Sequence, residues 1–212
     1  MNYLTTLVLM GLAASPLNSA PLSVSLDLTG RDLTFAKSDV YDLVVLEGAT
    51  LTGDVGAPSL PVLAVNIVLP QGMRLTSVDC KPEANEELAG SYLILPAQPP
   101  LPLSSETRPE FVPPDPAVYG SDRSYPGMSA EPAGQSSMSG YNVAQLLVYP
   151  LQYQPKSGIL TFSTLMTLGL TLEPADLGYL PVGNRSPETR AAIEEDIRAL
   201  VANPEDVTRF AP

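Results

Sequence analysis

Proline occurs 23 times in this 212-residue chain and is spread along most of it. Each proline fixes φ and removes a backbone donor, so long helices and uninterrupted central strands are excluded over most of the sequence. What fits between the prolines is a series of short strands joined by turns. In Leu22-Ser-Val-Ser-Leu-Asp-Leu28 every even position is apolar and every odd one polar, the period-2 pattern of a strand with one wet face. Tyr41 to Glu47 predicts a second strand, and the near-continuous apolar run Val62 to Leu69 a fully buried one. Pro70-Gln71-Gly72 turns the chain into a strand over Met73 to Asp79, and Leu88 to Leu95 predicts another.

The strongest hairpin signal comes late. Val143 to Tyr153 and Ile159 to Leu172 form its two arms, and Gln154-Pro-Lys-Ser-Gly158 is the turn. Leu160, Phe162, Met166, Leu168, Leu170 and Leu172 share one face of the second arm, so burial sets its register. Helical spacing appears once, in Ala191, Ala192, Ile193, Ile197, Leu200 and Val201. Ser186 is the N-cap, Pro187 the first helical residue and Glu188 the first-turn acid, while Asn203-Pro204 stops the helix near residue 202. The expected fold is mainly β: an antiparallel β-sandwich of jelly-roll-like type over residues 21–182, with one C-terminal α-helix and a polar connector in residues 183–212. Residues 96–140 hold ten prolines and many serines and read as a long irregular segment. Phe111, Val112, Val118, Tyr119 and Tyr125 indicate that parts of it pack down.

Composition narrows the function. Asp and Glu outnumber Lys and Arg 23 to 11, for a net charge of -12, which repels phosphates and argues against nucleic acid. The acidity fits a soluble exported domain or one that docks on a basic partner. There is no histidine, which removes Ser-His-Asp and Cys-His nucleophiles and His-based zinc sites. Cys80 is the single cysteine, so no intrachain disulfide forms, and an inert buried thiol is expected there. No catalytic residue, cofactor or metal is indicated, and a monomer is expected. At the amino end, the apolar run Leu4 to Ala14 followed by small residues reads as a secretory signal over residues 1–20. It is too short to span a bilayer, which takes about 20 residues, and no later run serves as an anchor. Cleavage after Ala20 would leave Pro21 next, and Ala13 or Ala14 are alternatives. The chain reads as secreted, to the periplasm or beyond.

Three ordered stretches carry a family resemblance. They are Gly56-Ala-Pro-Ser-Leu-Pro-Val62 followed by Leu69-Pro-Gln-Gly72, Val118-Tyr-Gly-Ser-Asp-Arg-Ser-Tyr-Pro-Gly127, and Val148-Tyr-Pro-Leu-Gln-Tyr-Gln-Pro-Lys-Ser-Gly-Ile-Leu160. Together they resemble the N-terminal propeptide of gingipain-type cysteine peptidases, family C25, over most of residues 22–175. The resemblance implies a β-sandwich that assists folding of a peptidase and holds it latent, with the cognate catalytic domain as partner in cis or in trans. It also implies a loop laid across the active-site cleft. Arg123, in the Ser-Asp-Arg-Ser-Tyr motif, is the preferred loop residue, with Asp122 beside it; Arg108 and Lys156 are further candidates. The bland alternative is a solvated Arg123 paired with Asp122. Arg209, in the tail, is a candidate processing point, as an exposed connector is where a release cut is made. Two other classes stay open at this point: a free-standing exported binding or adhesion module, and an enzyme working through carboxylates.

Overall fold

The structure is a computed structural model, and it describes residues 22–29, 31–100, 110–179 and 183–212. The expected signal segment with Ala20, and Arg108, lie outside these residues. The strands are β1 (Leu22–Asp27), β2 (Leu33–Ser38), β3 (Tyr41–Leu46), β4 (Thr50–Leu51), β5 (Pro61–Leu69), β6 (Met73–Glu87), β7 (Ala130–Met138), β8 (Tyr141–Val148), β9 (Leu151–Gln154) and β10 (Ile159–Pro174). A single helical turn, α1 (Pro116–Tyr119), precedes β7. The longer helix α2 (Pro187–Leu200) and a 3-10 turn at Pro204–Asp206 follow β10. The fold is mainly β with a C-terminal helix, as expected from the sequence, but β6 and the central strand β10 run to 15 and 16 residues and are not short.

The strands form antiparallel sheets. One runs β1-β10-β6 with β9 also on β10, another runs β4-β5-β8-β7, and β2 pairs with β3 as a separate hairpin. The core lies between the two larger sheets. Val24 and Leu26 of β1 and Leu160, Met166, Leu168 and Leu170 of β10 meet Leu63, Ile67 and Leu69 of β5 and Leu146 and Val148 of β8. Burying each such side chain contributes about 1.5–3 kcal/mol, so this layer supplies most of the driving force. The even-numbered residues of β1 and β10 face inward, in the register that period 2 predicts.

The second sheet is covered on both sides. Val68, Tyr141 and Val143 point outward and pack under Ile197, Val201, Val207 and Phe210. Double coverage is the physical reason why Ile67, Val68 and Leu69 are all buried and the end of this run is apolar on both faces. Helix α2 begins as its sequence predicts. Thr189 N–H donates to the Ser186 hydroxyl at 3.2 Å, and Pro187 opens the first turn. Only a narrow stripe, Ile193 and Ile197, faces the sheet; Ala191, Ala192 and Leu200 are exposed.

Several sequence expectations change. The irregular 96–140 segment contains α1 and the nine-residue strand β7, which pairs with β8 along its length. The expected hairpin arm Val143 to Tyr153 is two strands in two sheets. It breaks at Pro150, so that β8 pairs with β5 and β7 while only β9 pairs with β10. The Met73 strand continues to Glu87, and Leu88 to Leu95 is not a regular strand. Residues 79–87 are too polar to show apolar alternation, because β6 is an edge strand. Lys81, Pro82 and Glu83 on that edge discourage further pairing. Strand β2 carries no sequence signal, since five of its six residues are exposed. The segment from Asn203 onward, expected as a connector without core pattern, is docked: Asn203, Val207 and Phe210 are all buried.

Candidate functional site

The Ser121–Met128 loop is assembled from short-range chemistry on both flanks. On the upstream side, Asp115 caps α1 by accepting from Ala117 N–H at 2.8 Å, and its own N–H donates to Gly56 O at 2.9 Å. The Tyr119 hydroxyl donates to Ile94 O at 2.7 Å and fixes the helical turn to the body of the domain. On the downstream side, Tyr125 exchanges two backbone hydrogen bonds with Tyr153, at 2.7 and 2.9 Å. Its hydroxyl donates to Asp54 Oδ2 at 3.2 Å. The Tyr125–Pro126 peptide bond is cis, and Gly127 has φ +77°, a value that favours glycine. Gln152 then holds the loop end, accepting from Gly127 N–H at 3.1 Å and donating to Met128 O at 2.9 Å.

Arg123 sits between these anchors. Its N–H donates to the Ser121 hydroxyl at 3.0 Å, its side chain is exposed, and among the described residues no ion pair or hydrogen bond engages its guanidinium. Asp122 pairs with Lys156 Nζ at 2.8 Å and not with Arg123. That contact ties the loop to the turn of the β9–β10 hairpin and occupies Lys156. Gly158 closes that turn against Tyr92 and Ser91. Its φ is +74°, and a Cβ there would lie 3.0 Å from the Tyr92 carbonyl oxygen and 3.1 Å from its nitrogen. The Asp122–Lys156 ion pair and the Tyr125–Tyr153 backbone pair set the hairpin turn and the Arg123 loop next to one another.

The polar groups beneath the loop stay neutral or fixed. Burial, with the nearby Asp54 charge, pushes the Tyr125 phenol up to about 12. Burial beside other tyrosines likewise raises the Tyr119 phenol. Asp42, nearby on β3, accepts from Leu93 N–H at 2.9 Å and pairs with Lys37 at 2.6 Å. Burial pushes its pKa up, but the Lys37 and Leu93 hydrogen bonds and the Lys37 charge prevail and hold it below the ordinary value. Cys80 lies mid-strand in β6 opposite Leu168. Burial, then the Asp79 charge, raises its pKa to about 11, so at neutral pH it is a thiol and not a nucleophilic thiolate. Among the described residues no three His, Cys, Asp or Glu side chains converge as a metal site would need. No helix among them is long and apolar enough to cross a membrane.

The two processing candidates differ in what the structure describes. Ala20 falls outside the described residues, as does the loop candidate Arg108. Arg209 lies in the docked C-terminal segment, where it pairs with Asp206 at 3.6 Å and its guanidinium lies 5.1 Å from the Phe210 ring centroid. Asn203 was legible only as a helix stop, yet it is fully buried and makes a two-point contact with β5. Val68 N–H donates to its Oδ1 at 2.9 Å, and its Nδ2 donates to Val68 O at 3.0 Å. The Asn-Pro pair signals a turn, but nothing in the sequence names Val68 as the partner 135 positions away.

No family model and no curated protein matches the chain. Solved structures do. A chain from the complex of the pro- and mature domains of RgpB from Porphyromonas gingivalis superposes with a TM-score of 0.60 at 15% identity, over 86% of this chain and 91% of that one. A chain from a structure addressing the zymogenic latency of gingipain K, also from Porphyromonas gingivalis, has a TM-score of 0.55 at 22% identity, over 70% of this chain and 86% of that one. Agreement over this much of both chains at such low identity is agreement of fold: the chain has the fold of a gingipain-type propeptide.

Proposed function

We propose that this chain is the propeptide of a secreted gingipain-like cysteine peptidase, aiding its folding and holding it latent, and that it is itself non-catalytic. The observation that carries this reading is the fold shared with chains of two gingipain pro-form structures over most of their length. The Arg123 loop supplies a matching device. A loop stitched down at Asp122 and Tyr125 and presenting one exposed cation can enter an anionic specificity pocket with little ordering cost. The partner is therefore a catalytic domain with an acidic pocket, covalently linked or separate. The lack of histidine and the protonated Cys80 fit a chain that does no chemistry of its own. The apolar amino-terminal run fits export.

The test is inhibition of a gingipain-type catalytic domain by the purified chain. Wild type is expected to inhibit, and Arg123→Ala to weaken inhibition by about thirtyfold, the loss typical of a buried arginine anchor. An unchanged inhibition constant for Arg123→Ala removes that residue from the role. No inhibition by the wild-type chain, and no gain in the yield of active peptidase on co-expression, would overturn the propeptide reading itself.

A further inference from the structure

We propose that residues 201–210 form a docked strap that conceals the Arg209–Phe210 peptide bond, so that hydrolysis there requires the strap to peel from β5 first. This inference rests on packing alone and is independent of the propeptide reading. Beyond α2 the chain turns extended and runs beside the free portion of β5, where Val201 bridges Asn66 in parallel and Ala202 N–H donates to Asn66 O at 2.8 Å. Asn203 then takes both backbone groups of Val68, acting as one more rung of the sheet. Short β4 covers only Pro61 and Val62 of this same edge, so without the strap the edge beyond them would be open.

The strap next winds back on itself. Val207 N–H donates to Pro204 O at 3.3 Å and Phe210 N–H to Asp206 O at 2.9 Å, so the Arg209–Phe210 bond sits in a helical turn. Val207 and Phe210 on either side of Arg209 are buried against Val68, Tyr141 and Val143. Gln71 Nε2 clamps the end by donating to Phe210 O at 3.1 Å. Thr208 is bonded by Glu194 and Arg198 of α2. The Arg209 side chain is exposed, yet the backbone on both sides is not extended. A peptidase needs several residues in extended form around the scissile bond, so the docked strap is not a substrate. Hydrolysis breaks the Arg209–Phe210 C–N bond, with water supplying hydroxyl to the Arg209 carbonyl and a proton to the Phe210 nitrogen. It proceeds at a rate set by the fraction of molecules whose strap is open. In the proposed role, the strap would make release conditional on a local opening.

Trypsin applied to the whole chain reads this directly, with intact mass reporting cuts after Arg209 and after Arg74 in β6, and a synthetic peptide of residues 201–212 as the undocked reference. The bond is expected to be cut at least about a hundredfold more slowly in the folded chain than in the peptide. Asn203→Ala removes two contacts that exist only when the strap is docked, so it should speed the Arg209 cut about tenfold or more and leave Arg74 unchanged. Gln71→Ala, which alters no strap residue, should speed it by a smaller factor and serves as the readout if Asn203→Ala does not fold. Cutting at the peptide's rate in the wild-type chain, equal acceleration at Arg74 and Arg209, or no acceleration in either folded variant would each overturn the strap.

Discussion

Arg123 and Arg209 both stand in segments bordered by proline that lack strand or helix periodicity, and the fold holds them in opposite ways. Around Arg123 the anchors lie to either side, at Asp122 with Lys156 and at Tyr125 with Tyr153, and the side chain between them is left in solvent. Around Arg209 the anchors are the flanking residues themselves, since Val207 and Phe210 are buried and the backbone is coiled. An exposed side chain is therefore a poor guide to an accessible peptide bond. The first arrangement suits presentation of a charge to a partner, the second protection of a bond.

The comparison can be broken most directly at the strap. Asn203→Ala leaves the buried Val68 N–H and C=O without partners, at a cost of about 2–4 kcal/mol, with a melting temperature lower by roughly 4–16 °C. Thermal denaturation of the purified chain measures this, and a change of under 1 °C would mean the strap contributes nothing. Arg123→Ala should do the reverse. Stability should hold within about 0.5 kcal/mol, as for other surface substitutions, while affinity for a gingipain-type catalytic domain should fall by about 2 kcal/mol. A matching loss of stability would show that Arg123 is structural and erase the contrast. Asp122→Ala tests the loop anchor. The Asp122–Lys156 pair is solvent-exposed, so stability should fall by under about 1 kcal/mol, and inhibition should weaken by less than with Arg123→Ala.

The smallest effect is that of pH. Glu194 is held below the ordinary glutamate value, first by the Thr208 hydroxyl and then, with burial opposing, by Arg198. Asp42 is also held low. Both groups have folded-state values below their unfolded ones. The stability they contribute is therefore present above the unfolded carboxylate range, about pH 4, and is lost as pH falls through the folded values. Melting temperature measured from pH 7 down to pH 3 should decline below about pH 4, and Glu194→Gln should flatten part of that decline.

Much of the fold was legible because its signals are local. The even-numbered apolar residues of β1 and β10 announce strands with one buried face. Ser186, Pro187 and Glu188 announce the start of α2, and Pro155 with Gly158 announces the β9–β10 turn. Strands β2 and β7 and the polar half of β6 were not legible, because their residues are largely exposed and their pairing comes from neighbours remote in sequence. Of the candidate site, the motif around Arg123 could be read, but its ion-pair partner could not. The Asp122 carboxylate goes to Lys156, 34 positions on, and not to the adjacent arginine.

By itself, then, the sequence determined the class of structure, since proline spacing and period-2 burial point to antiparallel strands and one terminal helix, although β6 and β10 run longer than the proline spacing suggests. It also determined what the chain lacks, namely histidine and a second cysteine. Tertiary structure alone decided which sheet each strand joins, whether Arg123 is exposed, and that Val201 to Asn203 lie along β5 with the following turn packed on the sheet. Those outcomes depend on hydrogen bonds between groups far apart in the chain, such as the backbone of Val68 with the Asn203 side chain, and every residue but proline offers the same backbone donor and acceptor, so local sequence does not name the partner.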